Sequence, residues 1–400
     1  MKNPIGLVKY MKSFASKRVQ SIGSYAFDEV EKLVENLKSQ GINPTDFGVG
    51  DPKEPTPEII RNACKKAIDL RKDAGYPSYI GTIEYRTAIA NWMKRRFKVE
   101  LNPETEISST SGSKEAVFNF HEGIINPGDI SLVPNPGYPP MSRGNIFAEG
   151  KTIYLNLLEV NNFLPNLQEI PPEIIKKTKI LWINYPNNPT TSMAPKSFLK
   201  EVIEFGHDNN IIIASDETYT ELYYDEKPMS ILEIDREGIV VFNSLSKRSK
   251  MTCYRIGWIA GDKELISIFQ KVKTNIDSGT PTFIQDAAVT ALNDEQHVEQ
   301  ARKDYKQKRD IMIKAFKDIG LETQYPTATI YIWQKCPKGI SSLDFVKRLL
   351  HKNIAIVSTP GAWISNEVDD INPGEGYVRF ALVPTIAEIK QATKRLVANY

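Results

Sequence analysis

Ile211-Ile212-Ile213-Ala214-Ser215-Asp216-Glu217-Thr218-Tyr219 opens on a short apolar run, rich in β-branched side chains, and ends on a carboxylate. A run that brief and that continuously apolar reads as a strand buried on both faces rather than as a helix. The form recurs in Ile239-Val240-Val241-Phe242-Asn243-Ser244-Leu245-Ser246-Lys247, which ends on a lysine. Similar runs at residues 106–110, 131–133, 152–155, 180–183 and 256–260 bring the candidate strands to seven, with helical spacing at 113–125 and 197–209 between them. Strands alternating with helices predict an α/β fold with a mostly parallel, doubly wound sheet. Sheets of this kind bind ligands beyond the carboxyl ends of their strands, which is where Asp216 and Lys247 stand. Taken singly, Asp216 is equally an ordinary cap after a strand, and one lysine among 51 basic residues says little.

Outward from that core the pattern changes. Phe27, Val30, Leu33, Val34 and Leu37 keep helical spacing over 25–40, with Gly41 as the stop. Thr56 before Pro57 is expected to cap a second helix, and 82–97 reads as a third. Past a long polar helix at 295–319 come strands at 330–334, 354–357 and 377–382 and helices at 343–351 and 386–397. The reading is a large domain over 58–294 and a smaller α+β domain built from 1–57 and 295–400. A chain of 400 residues suits two domains, since roughly 100–200 residues make one.

Composition excludes several classes. With 41% hydrophobic and 25% charged residues the chain is globular rather than disordered. A net charge of +2 gives no field for a nucleic-acid backbone or an anionic membrane, so neither partner is expected. Three scattered cysteines, Cys64, Cys253 and Cys336, offer no disulfide framework and no metal-ligand pair, so no metal is expected. No run approaches the ~18 apolar residues of a membrane span, and a cytoplasmic protein is expected.

Gly48-Val49-Gly50 lacks the third glycine of a dinucleotide fingerprint, and no phosphate-loop motif of the ATPase type occurs. Ser111-Gly112-Ser113-Lys114 differs, because it follows a strand and opens a helix, aiming free backbone amides at an anion; read bare, it is a serine cap. Ser244 and Lys247 sit directly after an apolar strand, and Arg255 supplies a planar fork suited to phosphate. A lysine walled in this way can act as a free amine toward a carbonyl. In Tyr377-Val378-Arg379-Phe380-Ala381-Leu382 the alternation turns Arg379 away from its apolar neighbours, which alone would make it a surface arginine.

Together these residues resemble the pyridoxal-phosphate-dependent aminotransferases of class I/II. The collinear matches are Gly50-Asp51-Pro52 with Thr56-Pro57, Tyr76 with Gly81, Ser111-Gly112-Ser113-Lys114, Pro136-Gly137-Tyr138-Pro139, Asn188-Pro189-Thr190, Asp216 with Tyr219, Ser244 with Lys247, Arg255 and Arg379. The resemblance implies a fold-type I architecture, with a three-layer large domain around a mostly parallel seven-stranded sheet and a smaller α+β domain, and pyridoxal 5'-phosphate as cofactor. It implies that Lys247 holds the cofactor as a Schiff base and then moves the substrate proton. Asp216 would pair with the pyridine nitrogen, Tyr219 and Asn188 with the ring oxygen, and Tyr138 would stack on the ring. Gly112, Ser113, Lys114, Ser244, Ser246 and Arg255 would take the phosphate, with Tyr76 reaching in from the second subunit of a homodimer. Arg379, Gly50 and Asn188 would hold the substrate α-carboxylate.

The expected substrates are small amino and oxo acids. Gly112-Ser113-Lys114-Glu115-Ala116, Tyr25-Ala26-Phe27 and Gly376-Tyr377-Val378-Arg379-Phe380-Ala381-Leu382 look most like the enzymes acting on LL-diaminopimelate or its N-succinyl precursor, with glutamate and 2-oxoglutarate as the other pair. Lys114 would then also meet a distal carboxylate, and Tyr25 would line the substrate entrance. Aspartate or aromatic aminotransferases and a carbon–sulfur β-lyase share the same core residues. A regulator without turnover is disfavoured, because the roughly 25 residues before the first helix are too few for a helix-turn-helix. Thr191 and Cys253 stand where the family has glycine, which is expected to shift the loops they occupy. Arg248 is expected to meet an acidic substrate tail or a phosphate oxygen.

Overall fold

A computed structural model describes residues 14–22 and 28–400. Its central sheet has the order Ile107–Thr110, Gly257–Gly261, Ile239–Ser244, Ile212–Asp216, Thr178–Asn184, Ile130–Asn135, Lys151–Asn156. Only Gly257–Gly261 runs against its neighbours; the other pairings are parallel. All seven strands expected from the apolar runs are present.

The strands are apolar throughout because consecutive side chains point to opposite faces and both faces are covered. Ile180, Trp182, Ala214, Val240 and Phe242 face one core with Ala116, Val117, Phe120, Met141 and Phe269. Those partners come from helices Ser113–Ile124, Pro139–Phe147 and Lys263–Lys273. Leu181, Ile183, Ile213, Ile239 and Val241 face the other, with Ile89, Trp92, Met93, Val202, Ala287 and Ala291 from helices Ile83–Phe97, Lys196–Asn209 and Thr282–Asn293. Each fully buried Leu, Ile or Phe contributes roughly 1.5–3 kcal/mol, so the two layers carry most of the stabilisation.

A second, smaller sheet orders Thr359–Pro360, Tyr377–Ala381 and Tyr331–Lys335, all antiparallel. Beside it Thr45–Asp46 pairs in parallel with Ile356–Val357, so only the last two residues of the expected strand at 354–357 form one. Helices Asp28–Ser39, Gln296–Asp318, Ser342–Leu349 and Ile386–Asn399 pack against these strands. Their shared core takes Val30, Leu37 and Phe47 from one part of the chain and Phe316, Ile332, Phe380 and Leu396 from another.

Thr56 does not cap the second helix. That helix is Glu58–Leu70 with Pro57 at its N-cap, and the Thr56 hydroxyl instead donates to the Lys250 carbonyl at 2.7 Å. Thr82 does cap Ile83–Phe97, accepting from the Tyr85 amide. No described helix is long and apolar enough to cross a membrane.

Candidate active site

The carboxyl ends of the parallel strands open into a cavity of about 1270 Å³ that the smaller sheet walls off on its far side. Strand register brings its groups together. Asn184 and Asp216 are direct neighbours across Thr178–Asn184 and Ile212–Asp216, and the Asn184 amide donates to the Asp216 carbonyl at 2.9 Å. The Asp216 carboxylate is only 4% exposed and accepts from the Thr218 amide at 3.1 Å. Burial pushes its pKa up to about 6, and no cation pairs with it among the described residues. A carboxylate lodged there without a counter-charge is waiting for one.

One strand over, the chain turns from Ile239–Ser244 straight into the short helix Leu245–Arg248. Ser244 makes that turn possible, its hydroxyl accepting from the Ser246 amide at 3.1 Å. The turn delivers Lys247 to the cavity, where its ammonium donates to the Gly50 carbonyl. None of the chain's four histidines lines the cavity, which leaves Lys247 as the group at the strand ends suited to carry a proton.

Next to the lysine lies an anion cradle. Helix Ser113–Ile124 begins at Gly112, at φ 76° and ψ 160°, with no side chain capping its amides. A Cβ on Gly112 would fall 2.3 Å from Nη2 of Arg255, so the glycine is what lets the guanidinium lie across the helix start. Arg255 is held in place by donation to the carbonyls of Thr252 at 3.0 Å and Ser111 at 3.2 Å. Free amides, the positive end of a helix and a guanidinium together make a site for a dianion, and Ser113, Lys114, Ser244 and Ser246 line it.

Across the cavity Val378 and Phe380 face the small core while Arg379 turns the other way, as the alternation predicts. Its guanidinium donates to Oδ1 of Asn188 at 3.1 Å and to the Gly48 carbonyl at 2.9 Å, and its Nε is buried without a partner. No carboxylate pairs with it among the described residues. Tyr138, from the start of helix Pro139–Phe147, and Tyr219 also line the cavity.

Twelve expected residues therefore converge: Gly50, Ser113, Lys114, Tyr138, Asn188, Asp216, Tyr219, Ser244, Ser246, Lys247, Arg255 and Arg379. Gly112 stands just behind them. Tyr76 does not join them; it is 93% exposed and off the cavity wall. Tyr25 lies outside the described residues.

Arg248 corrects the expectation placed on it. It is 2% exposed and points into the protein, bonded to Glu295 at 2.8 Å and to the Ala291 carbonyl at 2.7 Å, with Glu221 at 3.7 Å. It reaches neither substrate nor phosphate. Arg248→Met takes one partner from each of Glu221 and Glu295, which keep Arg96 at 2.6 Å and Arg95 at 3.7 Å, and unfolding in urea should show a loss of about 1–2 kcal/mol while KM for the amino donor stays within about twofold.

Thr191 takes φ 64°, the left-handed backbone that a glycine adopts freely, at a cost of about 1–2 kcal/mol. Cys253 is exposed at the cavity margin. Sequence reasoning missed Thr218, Asn184 and Tyr331, all on the cavity wall. Tyr331, 3% exposed, touches both Tyr219 and Arg379.

The residues present fit pyridoxal phosphate: an uncapped helix start under a guanidinium for the phosphate, an unpaired buried carboxylate for the ring nitrogen, and an amine for the aldehyde carbon.

Comparison with known proteins agrees. The family model described as "Aminotransferase class I and II" matches residues 42–396. The chain is 43% identical to an LL-diaminopimelate aminotransferase of Aquifex aeolicus, over 95% of this chain and 98% of that protein. It is 40% identical to one of Halothermothrix orenii, over 95% and 97%. Among solved structures, an aminotransferase from Neisseria meningitidis superimposes with a TM-score of 0.90 at 32% identity, covering 96% of this chain and 99% of that one. The chain belongs to the class I and II aminotransferases of fold type I, pyridoxal-phosphate-dependent enzymes that pass amino groups between small amino and oxo acids.

Proposed function

We propose that this aminotransferase takes LL-diaminopimelate as amino donor and 2-oxoglutarate as acceptor. The observation that carries the reading is the charge on the cavity rim. Helix Asp28–Ser39 offers Glu31, Glu35 and Lys38, and Asp51, Lys53 and Lys114 stand nearby. LL-diaminopimelate ends in an ammonium and a carboxylate at both poles, so a rim carrying both signs suits its distal pole while Arg379 takes the near carboxylate. The names of the relatives, similar along nearly their whole length, support the same substrate.

When bound, the cofactor supplies an electron sink for the charge left as a proton leaves the substrate's Cα. The chain's own residues do the rest. Ser113, Lys114, Ser244, Ser246 and Arg255 fix the phosphate, Gly112 making room for the guanidinium, and Asp216 keeps the ring nitrogen protonated. Tyr138 would cover the ring, and Tyr219 and Asn188 would bond its oxygen. Arg379, with Asn188 and the Gly50 backbone, orients the α-carboxylate so that Cα faces Lys247. The Lys247 amine would then take up the proton that leaves the substrate's Cα and give it back.

The reading includes a cytoplasmic homodimer in which Tyr76 completes the neighbouring site. Its support is that Tyr76 is fully presented to solvent beside a helix, Glu58–Leu70, whose Ile59, Ile68 and Leu70 are 49%, 51% and 67% exposed. It also divides the chain into a large domain over 58–294 and a small one from 1–57 and 295–400. Two of the buried clusters fall inside the first span, and a third draws mainly on the second.

Purified, cofactor-loaded protein should be assayed with LL-diaminopimelate, N-succinyl-diaminopimelate, aspartate and aromatic donors against 2-oxoglutarate. The expected result is a kcat/KM for LL-diaminopimelate at least about tenfold above aspartate and the aromatic donors, the worth of one charge-assisted contact at the distal pole. Turnover confined to aromatic donors would refute the reading, and pyruvate released from cystathionine without an acceptor would mark a lyase instead.

A further inference from the structure

Tyr331 stands where the two walls of the cavity meet, and it touches a group on each. Its hydroxyl lies 2.9 Å from that of Tyr219, and the two rings meet edge to face at 5.6 Å. The guanidinium carbon of Arg379 sits over the Tyr331 ring, 4.8 Å from its centroid. Gly50, whose carbonyl receives Lys247, passes so near that a Cβ on it would fall 2.1 Å from the Tyr331 oxygen. One phenol thus adjoins the tyrosine assigned to the ring oxygen, the arginine assigned to the α-carboxylate, and the backbone that receives the lysine.

Each phenol has a single proton, so only one of the pair can donate to the other. A cation over an aromatic face draws electron density from the ring, which makes the hydroxyl of that ring the better donor. Arg379 lies over the Tyr331 ring, which favours Tyr331 as donor and Tyr219 as acceptor. The Tyr219 proton is then free to point into the cavity. Were the direction reversed, Tyr219 would spend its proton on Tyr331 and could only accept from whatever it meets.

We propose that Tyr331 is a positioning residue for transamination: it fixes the direction of the Tyr219 hydroxyl and supplies the platform on which Arg379 is held flat toward the substrate carboxylate. The proposal rests on the roles given above to Tyr219 and Arg379. A donor on the cofactor's ring oxygen stabilises its anionic form and lowers the pH at which the cofactor–lysine chromophore loses its proton. Accepting from Tyr331 polarises the Tyr219 hydroxyl and makes it the stronger donor, so removing the Tyr331 hydroxyl should move that transition upward.

The test uses the cofactor-loaded full chain as wild type, Tyr331→Phe and Tyr331→Leu, with visible absorbance titrated against pH and KM and kcat measured for glutamate. Tyr331→Phe keeps the ring and loses only the hydroxyl. Its absorbance midpoint should rise by about 0.2–0.4 pH unit, because the Tyr219 hydroxyl stays and loses only the polarisation that accepting from Tyr331 gives it, while KM stays within about twofold. Tyr331→Leu loses the platform as well, and KM should rise by about five- to thirtyfold. A Tyr331→Phe midpoint that stays put or falls overturns the proposal, and so does an unchanged KM in Tyr331→Leu. If Tyr331→Leu fails to load cofactor, the Tyr331→Phe midpoint decides alone. A wild-type protein without a pH-dependent chromophore, or an Arg379→Lys variant with wild-type KM, would instead bring down the underlying roles and the proposal with them.

Discussion

Lys247→Ala is expected to lose the covalent cofactor absorbance outright and to lower the rate of transamination by at least about 10⁴-fold, the combined loss of an amine nucleophile and of the proton carrier. No other side chain at the strand ends can replace it, since none of the histidines lines the cavity and the Asp216 carboxylate is turned to another task. The anion cradle is untouched by the change, because Gly112, Ser113 and Arg255 lie on other segments. The variant should therefore still take up cofactor, reversibly and with the spectrum of the free aldehyde. Retention of both the covalent absorbance and turnover would remove Lys247 from the assignment.

Asp216→Asn should move activity and stability in opposite directions. Without its carboxylate the ring nitrogen loses the partner that keeps it protonated, and kcat should fall by about 10²–10³-fold, the usual cost of removing one preorganised charge. In the cofactor-free chain the same carboxylate is a burden. Its pKa stands near 6 against an ordinary value of about 3.9, so the folded state keeps a proton where the unfolded chain has lost it. That preference favours folding fully below about pH 4, fades between about pH 4 and 6, and is absent above, where burying the charge costs up to about 3 kcal/mol. Cofactor-free Asp216→Asn should then melt higher than wild type at pH 8 and nearly the same at pH 4. A variant that melts lower at pH 8, with kcat unchanged, would show that Asp216 is an ordinary buried cap.

The central sheet was legible because its strands are covered on both faces, which leaves continuous apolar runs bounded by polar residues. The helices Pro139–Phe147, Lys263–Lys273 and Thr282–Asn293 were not. The first opens on Pro139 and Pro140, a pair that marks a turn as readily as the opening positions of a helix, where proline is welcome. The cavity's strand-end groups, Asp216, Ser244 and Lys247, were legible because topology alone fixes where strand ends point. Tyr331 was not, because its contact with Tyr219 joins residues 112 apart through the packing of two sheets. Arg248 misled for a related reason: adjacency to Lys247 suggested a shared cavity, but consecutive residues of a one-turn helix face different ways, and Arg248 faces the core.

The hydrogen bond between Arg379 and the Gly48 carbonyl joins residues 331 apart, and the one from Thr359 to the same carbonyl spans 311. A ribosome that has just finished helix Thr282–Asn293 has already made Asp216, Lys247 and the anion cradle, yet none of the carboxylate fork. On the roles proposed above, the nascent polypeptide would gain the cofactor half of its site while the strand beginning at Tyr331 is still unmade, and would hold an amino acid by its α-carboxylate only near the end of synthesis. Reactivity is in this way withheld until the chain has closed on itself.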